Sequence, residues 1–79
     1  MPKGLRTPEH TAIRAAIVGT RKAKGLDQQD LAKLLGWSSS TISRIESGER
    51  SCSAAQFLKI ARALKVPAWK MMKTAETYL

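Results

Sequence analysis

Chemistry-bearing side chains are scarce in this sequence. One cysteine, Cys52, and one histidine, His10, are present, which excludes an internal disulfide framework and a metal cage of several thiolates. A lone thiol fits a reducing compartment, and a cytoplasmic location is expected. The chain has no glycine-rich phosphate loop, and no two carboxylates come together at helical spacing in an apolar setting. Acid–base and nucleophilic catalysis therefore lack a constellation, and no enzyme activity, cofactor or metal is expected. His10 stands beside Glu9 at a helix start and reads as an exposed residue. Cys52, within Ser51-Cys52-Ser53, reads as a small filler without a histidine or basic partner. Long apolar runs are also missing. Ala15-Ala16-Ile17-Val18 is the longest, far short of the ~20 residues that span a bilayer. Met1-Pro2-Lys3-Gly4-Leu5-Arg6 carries no apolar signal region, so neither a membrane span nor an export signal is expected. Acidic residues are few as well: 6 against 14 Lys and Arg, a net charge of +8. Such a balance selects polyanionic partners such as nucleic acid or an acidic membrane face.

Against these absences, hydrophobic residues make up 43% of the chain and charged residues 25%, the balance of a folded domain and not of a solvated basic tail. Its 79 residues make one domain, near the lower end of the ~50–200 typical of domains. A core over about 8–73 is expected, with residues 1–6 and 74–79 flexible. No stretch alternates in the β pattern, and amphipathic segments separated by Gly and Ser predict an all-α fold of five helices. Thr7-Pro8-Glu9 offers an N-cap, a first-turn proline and an acid, and Ile13, Ile17 and Thr20 share one face until Gly25; this sets a first helix at about 8–24. Asp27 caps a second helix of about two turns, with Leu31, Leu34 and Leu35 as its buried stripe and Gly36 ending it. Ser38 caps a third over about 39–47, with Ile42 and Ile45 inward and Gly48 as its stop. Ser53-Ala54-Ala55-Gln56 reads as a capping box opening a fourth helix, which buries Phe57, Ile60, Ala61 and Leu64. Pro67 opens a fifth, carrying Trp69, Met72 and Tyr78.

The second and third helices are joined by only Gly36-Trp37-Ser38. A connection that short makes two helices cross steeply, which is helix-turn-helix geometry, here over about 28–47. The concurrence of Gln28, Leu31-Ala32, Gly36, Ile42-Ser43-Arg44-Ile45-Glu46 and Gly48 resembles the DNA-binding domain of phage repressors of the lambda and Cro kind and of Xre-type regulators. The resemblance covers roughly residues 13–72. It implies a compact five-helix, lambda-repressor-like fold in which Ala32 is the small residue that lets the third helix approach the second. Ser39, Ser40, Ser43 and Arg44 match positions that reach base edges, with Arg44 able to hold guanine O6 and N7 together. Gln28, Ser38, Ser47 and Arg50 match positions that contact phosphate or cap the recognition helix. Arg21 and Glu46 match an inward, structural ion pair. Departures are Thr20, Cys52 and Lys65, where leucine, proline and glycine are common in the family, and Ser39 and Ser40, where glutamines are common.

The expected function is thus a sequence-specific transcriptional regulator, a repressor that places helix 39–47 in the major groove of double-stranded operator DNA and excludes polymerase. One unit reads few base pairs, so a homodimer is expected. Trp69, Met71, Met72 and Tyr78 in the C-terminal segment are its candidate interface. Two other classes compete with this reading: an antitoxin-like module whose main partner is a protein, and a nonspecific packaging protein. A membrane-surface helix bearing Arg14, Arg21, Lys22 and Lys24 is disfavoured, because its apolar face is alanine-rich and lacks aromatics to insert.

Overall fold

The computed structural model describes residues 7–79, and the expected flexibility of residues 1–6 lies outside the described residues. Its helices are α1 (Pro8–Ala23), α2 (Gln28–Leu35), α3 (Ser39–Ser47), α4 (Ala54–Ala63) and α5 (Ala68–Glu76).

Short polar side chains start three of them. Thr7 Oγ1 accepts the His10 N–H at 3.2 Å at the head of α1. Asp27 accepts the Asp30 N–H at 2.7 Å while Asp30 accepts the Asp27 N–H at 3.0 Å, closing a capping box on α2. Ser53 and Gln56 do the same for α4, both at 3.0 Å. The start of α3 differs. Ser38 occupies the N-cap position but makes no side-chain cap bond; its hydroxyl shares hydrogen bonds with those of Ser40 and Thr41, both at 3.0 Å. Competition from neighbouring hydroxyls thus overturns the expected Ser38 cap, leaving the first N–H groups of α3 without a side-chain acceptor.

Left-handed glycines follow the first three helices, Gly25 after α1, Gly36 after α2 and Gly48 after α3. After α4 the left-handed position is held by Lys65, at φ +59°. The Lys65 N–H donates to Arg62 O at 3.1 Å and the Val66 N–H to Ala61 O at 3.0 Å. These are the two bonds of a Schellman turn, made here on a residue with a Cβ, whose left-handed conformation costs about 1–2 kcal/mol.

Each helix sends at least one side chain to the core: Ile17, Leu31, Ile42, Ile45, Ile60, Leu64 and Met71 are all fully buried. Ala32 is buried with them where α2 crosses α3. A separate contact joins α1 to α5 through Ala12, Ala16 and Ala75, small side chains that let two helix backbones approach closely. The buried face of α1 is accordingly Ala12, Ala16, Ile17 and Arg21, with Ile13 and Thr20 only half-buried.

Three expectations are corrected. Leu34 is 59% exposed, because α2 turns only Leu31 and Ala32 fully inward and leaves Leu35 half-buried. Met71 belongs to the core at 1% exposure, whereas Trp69 is 69% exposed. Two residues apart on a helix is about 200° of rotation, so the two point to opposite sides of α5. Finally, α5 continues through Glu76 with Ala75 buried, past the expected core boundary at about residue 73.

Candidate nucleic-acid interface

The orientation of α3 follows from its two isoleucines. Ile42 and Ile45, one helical step apart, are both buried and turn that face into the core, so Ser39, Ser40, Ser43, Arg44 and Ser47 are all exposed. The outward face is therefore four small hydroxyls and one guanidinium. Among the described residues the Arg44 side chain has no hydrogen-bond or ion-pair partner, which leaves its planar donor fork open to an external acceptor. Its backbone carbonyl takes the Arg50 N–H and the Ser47 hydroxyl, each at 3.2 Å. Ser47 also accepts the Glu49 N–H at 3.4 Å.

Directional bonds then fix α3 against α1 and α2. Arg21 Nε donates to Glu46 Oε2 at 2.8 Å and Nη2 to Glu46 Oε1 at 3.0 Å, a bidentate pair whose side chains are only 8% and 6% exposed. Arg21 Nη1 donates to the Leu26 carbonyl at 2.8 Å. Gln28 Nε2 donates to Glu46 Oε1 at 2.9 Å. Gln28 thus braces the end of α3 through Glu46. No buried side-chain N or O atom among the described residues lacks a partner, the condition under which a buried ion pair is tolerated.

Arg50 is exposed and sits just after α3. Sequence reasoning gave no site role to Arg14, yet its guanidinium lies over Gly48, where an added Cβ would stand 3.0 Å from Arg14 Cζ. With Gly48 also at φ +86°, any other residue there would meet both backbone strain and this side chain. The available signal was spacing: Arg14 and Arg21 are seven residues apart, hence on one side of α1.

The C-terminal candidates separate. Trp69 and Met72 line a cavity with Ile13, Phe57 and Leu58, while Tyr78 lies on another flank, its hydroxyl 3.8 Å from the Cβ position of Gly19. Met71 is buried in the core. His10 Nδ1 is paired with Thr7 Oγ1 at 2.7 Å. Desolvation pushes the half-buried Cys52 thiol from 9.0 up to about 11, which keeps it protonated and unreactive at neutral pH. Among the described residues no helix is long and apolar enough to cross a membrane.

A short helix exposing hydroxyls and a free arginine, joined to α2 by a three-residue turn and clamped to α1 by a buried ion pair, has the geometry of a helix-turn-helix DNA-binding regulator. The sequence profile of the Helix-turn-helix family matches residues 20–68, and the chain belongs to this family. Solved structures of the same fold include a mutant of the restriction-modification controller protein C.Esp1396I. It is 21% identical, with 91% of this chain and 96% of that one covered and a TM-score of 0.86. The clp gene regulator ClgR from C. glutamicum is 22% identical over 92% of this chain and 94% of its own, with a TM-score of 0.83. An XRE-family like protein from Pseudomonas syringae pv. tomato str. DC3000 is 24% identical over 95% and 92%, also at 0.83. At these identities the likeness carries the fold. Among curated proteins nothing matches the chain.

Proposed function

We propose that this DNA-binding regulator is sequence-specific and acts as a repressor, with α3 lying in the major groove of an operator. The observation that carries the reading is the outward face of α3, which offers Ser39, Ser40, Ser43 and an unpaired Arg44 and no apolar side chain. Arg44 holds guanine O6 and N7, and the serines, which donate or accept toward almost any base, add contacts of lower selectivity. Ser38, Ser47 and Arg50 contact phosphates around the ends of α3. Gln28 does so through the amide hydrogen that Glu46 does not take. Two copies pair through Trp69 and Met72, with Tyr78 at the flank, and set their α3 helices on half-sites about 34 Å apart. Repression follows from occupying DNA that polymerase needs, and no cofactor takes part.

Selection of bound sites from random duplexes tests the reading. Enrichment of a two-fold symmetric site with half-sites about one helical turn apart is the expected result; recovery of unenriched DNA contradicts it. A second reading, the antitoxin-like module, is supported by a separate apolar surface. Leu34, Leu35 and Trp37 line a cavity of about 310 Å³ with Lys59 and Arg62, which shares no residue with the cavity at Trp69. A small protein that co-purifies with the chain, and is lost on Leu34→Glu while DNA binding persists, would favour that reading.

A further inference from the structure

The cleft beside the last turn of α3 gathers basic side chains from two distant parts of the chain. α1 supplies Arg14 and His10, the loop after α3 supplies Arg50 and Ser51, and Glu9 and Cys52 complete a cavity of about 200 Å³. Arg14 is held in place. Its Cζ, Nη1 and Nε lie 3.0, 3.1 and 3.3 Å from the Cβ position of Gly48, the near-equal distances of a guanidinium lying face-on, and Nη2 donates to Thr11 Oγ1 at 3.2 Å. Arg50 is brought alongside by the chain reversal in which its N–H reaches Arg44 O at 3.2 Å. His10, with Nδ1 tied to Thr7 Oγ1, forms part of the wall.

Arg14 and Arg50 both line this one small cavity, where Glu9 is the one carboxylate among the lining residues. The negative end of the α3 dipole accounts for Arg14 by itself, but it gives no reason for Arg50 to stand in the same cleft. An anion between them does, because guanidinium forks match phosphate oxygens and bond them with charge assistance. The cleft lies at the end of the helix assigned to the major groove, whose two edges are lined with backbone phosphates. Building on that assignment, we propose that the cleft seats one DNA phosphodiester, with Arg14 as well as Arg50 donating to its oxygens. Arg14 is then a DNA-binding residue contributed by α1, outside the helix-turn-helix, and it adds affinity without sequence preference.

The test titrates the full chain, Arg14→Gln, Arg14→Lys and Glu9→Gln onto a selected duplex and a scrambled one over a series of salt concentrations, with thermal melts alongside. Arg14→Gln should weaken both duplexes equally, by about tenfold. It should also flatten the slope of log affinity against log salt by about one. Arg14→Lys should keep the slope, since it keeps the charge, and Glu9→Gln should strengthen both complexes because it removes the carboxylate facing the phosphate. An Arg14→Gln protein that melts earlier yet binds with an unchanged salt slope, beside a Glu9→Gln protein with unchanged affinity, overturns the phosphate seat and leaves Arg14 a cap on α3. A wild-type chain that binds no duplex overturns the DNA reading of α3 as well, and the two failures are thereby distinct.

Discussion

Helices α3 and α5 are each nine residues long, and each fully buries two side chains, Ile42 and Ile45 in one and Met71 and Ala75 in the other. Their remaining surfaces and their attachments are opposite in kind. α3 turns serines and Arg44 outward and is held by the bidentate Arg21–Glu46 pair with Gln28 added. α5 turns Trp69 and Met72 outward and meets α1 through Ala12, Ala16 and Ala75. Directional bonds fix a helix in rotation as well as position, which reading base edges requires. An apolar surface seated on small side chains is nondirectional and suits contact with a second apolar surface. The contrast supports the proposal of DNA at α3 and of a protein contact at α5, and each half of it breaks in its own way.

The largest expected effect is on the polar attachment. Glu46→Ala leaves the buried Arg21 cation and the half-buried Gln28 amide without this acceptor and should cost about 3–5 kcal/mol in a denaturant titration. That is a large part of what so small a domain has to lose. A loss well below ~1 kcal/mol would show that packing of Ile42 and Ile45 alone holds α3.

The two sides of α5 come next. Met71→Ala should destabilise the chain by about 2–4 kcal/mol through the cavity it leaves. Trp69→Ala should leave monomer stability within about 0.5 kcal/mol and shift sedimentation toward the monomer. Equal destabilisation by both would mean that Trp69 closes the core, and the contrast with α3 would lose its apolar half.

How far the sequence reveals this division depends on the signal each residue carries. The bounds of α2 and α3 were legible because Asp27, Gly36 and Gly48 mark helix ends by local chemistry. The Arg21–Glu46 pair joins residues 25 apart in sequence, and no local pattern shows such a contact; only the family resemblance did. Leu34 was misplaced because periodicity in an eight-residue helix cannot tell which of two adjacent leucines follows Leu31 into the core. Met71 and Trp69 were grouped by hydrophobicity, although helical rotation separates them. The alanine contact of α1 with α5 was invisible, since alanines carry little hydrophobic signal, and Arg14 was unremarkable until Gly48 stood beneath it. Of the proposed DNA contacts, Ser39, Ser40, Ser43 and Arg44 came from the family resemblance, and nothing in the sequence showed that Arg44 is unpaired.

Smaller effects sharpen the picture away from α3. Lys65→Gly should stabilise the chain by about 1 kcal/mol in the same titration, because it removes the Cβ from a left-handed turn; a destabilised variant would mean that the Lys65 side chain contributes more than its backbone strain costs. Least of all should change at Cys52. With its thiol pushed up to about 11 by burial, native protein at pH 8 should react with a thiol reagent about a hundredfold more slowly than unfolded chain, because so little thiolate is present. Equal rates would place the thiol in solvent.

If α3 reads bases through Arg44, the affinity of Arg44→Ala for a selected site and for scrambled DNA at one salt concentration will show it. The expected result is a loss of about 1–3 kcal/mol on the selected site, relaxed preference at one base position and little change on scrambled DNA. Equal weakening on both duplexes would contradict it, showing that Arg44 touches only the phosphate backbone.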